Sequence, residues 1–239
     1  MALTEQTRAE MMDLAARYPQ ARSALLPMLH LAQSEQGCVT PEGIQMCAEV
    51  LGLTTAEVKG VATFYSMYKE TPMGEYHIGV CINPGCGMLG GEAIWDTLTG
   101  DLGVGHDEAT EDGKISLERI ECQAACTHAP VMTANWEFMD NMTPESARQL
   151  VDDLRAGREV KSTRGPVIRD FRACERTLSG IDDDGLADLR LVRPQQYTND
   201  PGLVLEVTPE SAGWDYISFQ GRRLRQGEAL EVGGVGHRH

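Results

Sequence analysis

Residues 81–86 read CINPGC and residues 122–126 read CQAAC, so four cysteines come in two close pairs. Each pair follows a stretch typical of a β-strand: EYHIGVCIN at 75–83 and ISLERI at 115–120. The chain between the pairs is long enough for a helix and a hairpin. Four thiolates on two loops can close a tetrahedral site for one metal ion or share a two-iron cluster. The pattern therefore predicts a metal centre.

The spacing within the pairs favours iron over zinc. Cys81 and Cys86 are C-x4-C, and Cys122 and Cys126 are C-x3-C. Structural zinc sites usually have two C-x2–4-C pairs, so the spacing of these cysteines matches a zinc site only in part. Iron–sulfur clusters accept four thiolates at varied spacings, including an x4 step. A dithiol–disulfide site would need C-x-x-C, which neither pair has. We expect an iron–sulfur cluster, with a four-cysteine zinc module as the alternative.

His128 follows Cys126 by two positions and has two interpretations. It is a candidate for tuning the cluster, by a hydrogen bond or by replacing a ligand as in Rieske centres. The simpler interpretation is a solvated loop histidine, because four cysteines already complete the usual ligand set.

Three further cysteines stand alone in the sequence. Cys47 falls on the apolar stripe of a predicted helix, where a free cysteine behaves as a small buried apolar residue. Cys38 and Cys174 have polar neighbours in the sequence, and we expect both to be unligated thiols.

Composition excludes several classes of partner. The chain has 239 residues, a formal net charge of −15 and a pI near 4.8. Nucleic acids and anionic membrane surfaces bind basic faces, so both are disfavoured. The sequence contains no run of about 18 apolar residues, so it predicts no membrane-spanning helix. The N-terminus lacks the pattern of a signal or transit peptide, which predicts a cytoplasmic location in a bacterium.

The order of predicted elements gives an α+β protein in three parts. Residues 1–71 form a helical region, whose last helix is predicted to run over 54–68 and to pack through the aromatic stretch FYSMY. Residues 72–159 read β-α-β-β-α, with a single strand expected at 131–138. Residues 160–239 have short apolar stretches among Pro, Gly and Asp clusters, and we expect an irregular extension with little core of its own.

These motifs resemble one family: the small 2Fe–2S subunit of respiratory complex I, the E subunit of NADH-quinone oxidoreductase. Related subunits occur in NAD-linked hydrogenases and formate dehydrogenases. The resemblance rests on four stretches within about residues 16–157: SALLPMLHLAQSEQG, GVATFYSMY, CINPGC with the strand before it, and EDGKISLERIECQAACTHAP.

The resemblance implies a thioredoxin-like ferredoxin domain behind a helical bundle. It implies that Cys81, Cys86, Cys122 and Cys126 ligate one 2Fe–2S cluster. This cluster would exchange single electrons with the FMN of an NADH-oxidising (F-type) partner subunit, beside a large iron–sulfur (G-type) subunit. The chain would then belong to an oxidoreductase without holding a complete active site.

The same resemblance implies an assembly and a place. The helical region and its FYSMY face would dock the flavin subunit. Residues 160–239 have no counterpart in the family pattern, and from their composition we expect this extension to wrap a partner subunit. The complex would be the peripheral, cytoplasmic arm of a plasma-membrane enzyme. The sequence does not separate complex I from a hydrogenase or formate dehydrogenase, because the difference lies in the neighbouring subunits.

Overall fold

Helices fill the first third of the computed structural model, which describes residues 3–181. Threonine side chains cap three of these helices by accepting backbone N–H groups of the first turn. Three leucines of the second helix, Leu25, Leu29 and Leu31, are buried in the core of this part. We call these elements the helical lobe: α1 (Glu5–Ala16), a 3-10 turn (Ala21–Ala24), α2 (Leu25–Gln36), α3 (Pro41–Leu51) and α4 (Thr55–Ala62).

The fourth helix is shorter than the sequence pattern predicted. It ends at Ala62 instead of reaching residue 68. The hydroxyl of Thr63 donates to the carbonyl of Lys59, a side-chain bond that competes with continued helix. The aromatic stretch is consequently divided: Tyr68 is buried, whereas Phe64 is 78% exposed. The prediction that the whole stretch packs in the core was therefore wrong.

A five-stranded sheet forms the second part of the structure. Its order is β2-β3-β1-β4-β5, with β1 and β3 parallel and the other neighbours antiparallel. The helices that follow in this part are α5 (one turn), α6 and α7. We call these elements the sheet lobe: β1 (Tyr76–Cys81), α5 (Pro84–Cys86), α6 (Glu92–Leu102), β2 (Glu108–Ala109), β3 (Ile115–Ile120), β4 (Met132–Ala134), β5 (Glu137–Met139) and α7 (Pro144–Arg155).

The single strand expected at residues 131–138 is a hairpin. Asn135 and Trp136, which join β4 to β5, have φ angles of 45° and 72°. Two successive residues with positive φ are characteristic of the tight turns that connect antiparallel strands. This turn contains no glycine that would have signalled it. The α+β class itself is confirmed by the mixed sheet and its helices.

The sheet and its two long helices enclose one apolar core. Ile78 and Val80 of β1 meet Ile94 and Leu98 of α6, and Leu150 of α7 closes the same core. A separate core joins the helices of the helical lobe. Across residues 3–181, no helix is both long and apolar enough to cross a membrane.

Part of the predicted irregular extension has regular structure. An isolated bridge between Lys161 and Val167 is followed by a further helix, α8 (Phe171–Leu178), which the side chain of Asp170 caps. The strongly amphipathic pattern of this eight-residue helix was too short to be recognised in the sequence. The remainder of the predicted extension, residues 182–239, lies outside the described residues, as does its proposed contact with a partner.

Replacing Gly79 tests how tightly the side chains of Thr133 and Ile120 pack against β1. A Cβ at Gly79 would lie 2.6 Å from Thr133 Oγ1 and 3.0 Å from the side chain of Ile120. We expect Gly79→Ala to lower the free energy of unfolding by about 1–3 kcal/mol, as overpacked cores do. Gly100→Ala, on α6 with open space around it, is the control and should stabilise by up to about 1 kcal/mol. Urea denaturation measures both; equal stabilities would contradict the expectation.

Candidate metal centre

The two cysteine loops leave the sheet at the same edge. Cys81 is the last residue of β1, and it pairs in parallel register with Ile120, the last residue of β3. Because parallel strands end on the same side, the loops that follow them are neighbours. Cys122 comes two residues after β3, so the strand pairing brings the second cysteine pair to the first.

The first loop turns sharply and then becomes a helix. Asn83 precedes the helical turn Pro84–Cys86, and proline suits the first helical position. A wide turn over Gly87–Gly91 then leads into α6. A Cβ at Gly91 would clash with the carbonyl oxygen of Cys81, so glycine permits the close approach. The helix and the cysteine loop are packed backbone to backbone.

The four thiols form one inner and one outer pair. Cys81 and Cys86 are 2% and 3% exposed, and they pack with Ile120 and Val131. Cys122 and Cys126 are exposed, and their sulfurs are 3.6 Å apart. The structure thus brings together all four cysteines that the sequence singled out.

Burial and the contacts between the thiols shift their pKa values. Burial raises the pKa of the Cys86 thiol to about 11, with contributions from Cys81 and Cys126. Contact with Cys122 raises the pKa of the Cys126 thiol. In the metal-free chain Cys86 therefore stays protonated at neutral pH. A metal that binds it as a thiolate must release that proton.

Backbone groups approach two of the sulfurs. The N–H of Ala124 donates to Cys122 Sγ at 3.4 Å, and a backbone hydrogen bond from Val131 reaches Cys86. Ala124 adopts a φ of 55°, an uncommon value for a residue with a Cβ. Such bonds stabilise thiolates and help to set the potential of bound iron.

His128 lies beside the outer pair but bonds locally. Its Nδ1 is 2.9 Å from the hydroxyl of the neighbouring Thr127, and the side chain is half-buried. Its tuning role stays a prediction.

The solitary cysteines are free thiols: burial raises the pKa of Cys47 and of Cys174 to about 12 and also raises that of Cys38. The prediction that Cys38 lies in polar surroundings was wrong, because its side chain is buried.

The donor set fits a cluster that is held by two pairs of thiolates. In a 2Fe–2S cluster four cysteines serve two irons, so pairs on facing loops supply the required ligands. A site for a single metal ion is not formed: in residues 3–181, no group of three or more His, Cys, Asp or Glu side chains has the spacing to hold one ion. The sulfurs instead stand as two neighbouring pairs. The inner pair is buried, so water is excluded from that side of the site.

Sequence reasoning missed a buried charged network on the same two strands. Glu118 of β3 contacts His77 of β1 at 2.8 Å and Lys69 at 2.7 Å. Burial raises the pKa of Glu118, but the contacts with His77 and Lys69 outweigh it and lower the pKa below its usual value. The available signal was Ser116 and Glu118 on alternate positions of one strand, although polar residues in such an alternation usually face solvent.

The chain belongs to the family of thioredoxin-like [2Fe-2S] ferredoxins, whose family model matches residues 11–155. The thioredoxin-like fold that the sequence resemblance implied is thereby confirmed. Among curated relatives, the E subunit of NADH-quinone oxidoreductase from Mycobacterium tuberculosis strain H37Rv is 51% identical over 190 residues. That match covers 80% of this chain and 72% of the relative.

Two further proteins are similar to this chain. NADH-quinone oxidoreductase subunit 2 of Thermus thermophilus is 40% identical over 154 residues, 63% of this chain and 85% of that one. Among solved structures, an NAD+-reducing [NiFe]-hydrogenase in the H2-reduced state matches 55% of this chain with a TM-score of 0.50 and 20% identity. This chain spans about a fifth of that hydrogenase chain, 22% of its length, so the likeness shows a shared fold.

Replacing Gly91 should disturb the inner pair of thiols. In Gly91→Ala the new methyl group would displace the carbonyls of Cys81 and Cys86, opening the buried side of the site. We expect both thiols to react faster with a thiol reagent in the metal-free chain, while Cys122 keeps its rate. Peptide mapping by mass spectrometry measures this. Gly85→Ala, in the same loop but with open space around it, is the control; unchanged labelling in Gly91→Ala would disprove the packing argument.

Proposed function

We propose that this chain is the electron-transfer subunit of an NADH-quinone oxidoreductase. The observation that carries the proposal is the meeting of four thiols in two pairs at one sheet edge, in a chain 51% identical to the E subunit of such an enzyme over 80% of its length. Cys81, Cys86, Cys122 and Cys126 are the proposed ligands of one 2Fe–2S cluster. When bound, the cluster accepts and releases single electrons.

The protein's own residues prepare the site for this task. The inner pair, Cys81 and Cys86, lies among apolar side chains, which lowers the local dielectric on that side. The outer pair, Cys122 and Cys126, is exposed and so gives electrons a short route to a partner surface. The N–H groups of Ala124 and Val131 are placed to stabilise thiolate charge. No residue here is assigned to bond making or breaking.

The proposed partner is an NADH-oxidising subunit that carries FMN, of the F type, with a G-type iron–sulfur subunit beside it. The helical lobe offers a docking surface: an open groove whose lining includes Arg22, Leu26, Val61, Phe64 and Tyr65. Exposed aromatic groups are enriched at protein interfaces because they bury much apolar area. We propose that this groove contacts the flavin subunit in the peripheral, cytoplasmic arm of a plasma-membrane complex.

The proposed organisation keeps three parts: a helical region at residues 1–71, the ferredoxin domain at 72–159 and an extension at 160–239. Equivalent subunits of NAD-linked hydrogenases and formate dehydrogenases would use the same site, and a zinc-stabilised module is the alternative from a different class. Chemical analysis of the purified chain separates cluster from zinc, and the subunits that co-purify separate the complexes.

Metal and acid-labile sulfide content test the cluster directly. We expect two irons and two sulfides per anaerobically purified chain, and an EPR signal after reduction with dithionite. Cys122→Ser should lose or distort the cluster, because a hydroxyl is a poorer ligand for iron than a thiolate. Cys174→Ser is the control, since that thiol bonds to the carbonyl of Arg169 away from the site. One zinc without sulfide, or an unchanged signal in Cys122→Ser, would refute the assignment.

Charge placed in the groove should block docking. We expect Phe64→Asp to reduce co-purification of the NADH-oxidising subunit about tenfold or more, because burying an unpaired carboxylate at an interface is costly. Met12→Asp introduces the same charge at another exposed apolar position, 58% exposed on α1, and should leave co-purification unchanged. Iron content should stay normal in both variants. Full recovery of the partner with Phe64→Asp would place the docking surface elsewhere.

A further inference from the structure

Helix α8 joins the two lobes, although it lies beyond residues 11–155, the stretch that the family model matches. We call residues 168–181 the clasp. At its start, the N–H of Phe171 donates to the carbonyl of Glu75, immediately before β1. The Phe171 ring is buried against the rings of His77 and Trp136 in the sheet lobe. One side of the clasp is therefore fixed to the sheet.

The other side of the clasp is bound to the helical lobe. Arg176 contacts Glu10 of α1 at 2.8 Å and Glu35 of α2 at 3.1 Å. At the end of the clasp, Arg17 donates to the carbonyl of Gly180. These pairs are partly exposed, and such pairs contribute little to a fixed geometry on their own.

One buried carboxylate connects the lobes within this clasp. Glu175 is fully buried, and its two oxygens form hydrogen bonds with side chains of different lobes. Oε2 lies 2.6 Å from Nδ1 of His30 on α2, and Oε1 lies 2.8 Å from Nε1 of Trp136 in the β4–β5 turn. A carboxylate leaves water only when its hydrogen bonds are replaced, so losing either partner is costly. Both bonds hold together only at one relative position of the lobes.

On the helical side, contacts continue from Glu175 to the proposed docking groove. The His30 ring packs on Tyr68 with centroids 4.9 Å apart. The hydroxyl of Tyr68 donates to the carbonyl of Leu26, a groove residue one turn before His30 on the same helix. The ring of Tyr65, also in the groove, contacts Tyr68 edge-on.

On the sheet side, contacts continue from Glu175 toward the cysteines. Trp136 ends the turn after β4, and β4 pairs with β1 from Ile78 to Val80. The next residue of β1 is Cys81. Glu175 is thus one point at which the structure behind the docking groove meets the structure behind the thiols.

We propose that Glu175 is a positioning residue for electron transfer: it fixes the docking groove at a set distance from the four-cysteine edge. The role in electron transfer rests on the proposed function. The distance between the groove and the four-cysteine edge does not, because both lie in this chain. A partner seated on the groove would then present its cofactor to the thiol edge at one separation.

The test measures the distance between the lobes in the full chain. Genetically encoded nitroxide amino acids at Met12 on α1 and Ala93 on α6 avoid the native cysteines, and both positions are exposed. Pulsed EPR should give a single narrow distance in the otherwise unchanged protein. Glu175→Ala should lose it and broaden the distribution, because His30 and Trp136 keep no shared partner. Glu175→Gln, which retains two hydrogen-bonding atoms, should restore it.

The control is Glu111→Gln, an equal loss of charge at an exposed loop residue. Where Glu175→Ala fails to fold, Trp136→Phe removes only the N–H that reaches the carboxylate and keeps the ring contacts. It should also broaden the distribution. A distance in either variant as narrow as in the unchanged chain overturns the proposal.

A second readout separates this inference from the proposed function. In the assembled complex, Glu175→Ala should slow NADH-dependent reduction of the cluster at saturating NADH, with iron content and the dithionite-reduced signal unchanged. Broadened distances with an unchanged reduction rate would overturn the positioning role. Absence of any NADH-dependent reduction in the unchanged complex would instead refute the proposed function, and the distance measurement would still decide whether Glu175 fixes the lobes.

Discussion

The parallel pairing of β1 with β3 is the constraint on which the site depends. These strands are distant in sequence, yet their register ends with Cys81 opposite Ile120, so both cysteine loops start from one edge. An antiparallel pairing would send the loops to opposite ends of the sheet. Gly79 then leaves room for the side chains of Thr133 and Ile120, and Gly91 lets the start of α6 approach the backbone of the cysteine loop more closely than any side chain would permit. The thiols meet because the backbone beneath them leaves little freedom.

Buried charge also supports these two strands. Glu118 is nearly inaccessible to water, and an unpaired carboxylate there would strongly oppose folding. His77 and Lys69 satisfy it, and Gln33 of the helical lobe in turn accepts from the backbone N–H of Lys69. No described buried side-chain N or O atom lacks a partner. Because every member is bonded, the network orders the junction between the lobes, whereas a partly bonded one would weaken it.

The parts that sequence reasoning predicted carry strong local signals. Paired cysteines and strand-like stretches each depend on a few adjacent residues, and they located the two cysteine loops and the strands that carry them. What it missed depends on partners far along the chain. The turn at Asn135 and Trp136 contains no glycine. Its geometry is held instead by hydrogen bonds between the Asn135 side chain and the backbone of His77 and Arg169, which are far away in the sequence. The burial of Glu175 could not be read from an acidic residue on a short, charged helix.

The sheet is also bounded by very short outer strands. β2 has two residues and β5 has three, while the longest strands, β1 and β3, lie inside the sheet order. A strand edge exposes unpaired N–H and C=O groups, and long edges invite other chains to add to the sheet. A protein made as one member of an assembly spends time alone before its partners arrive. Short edges and a net charge of −15 both oppose self-association during that interval.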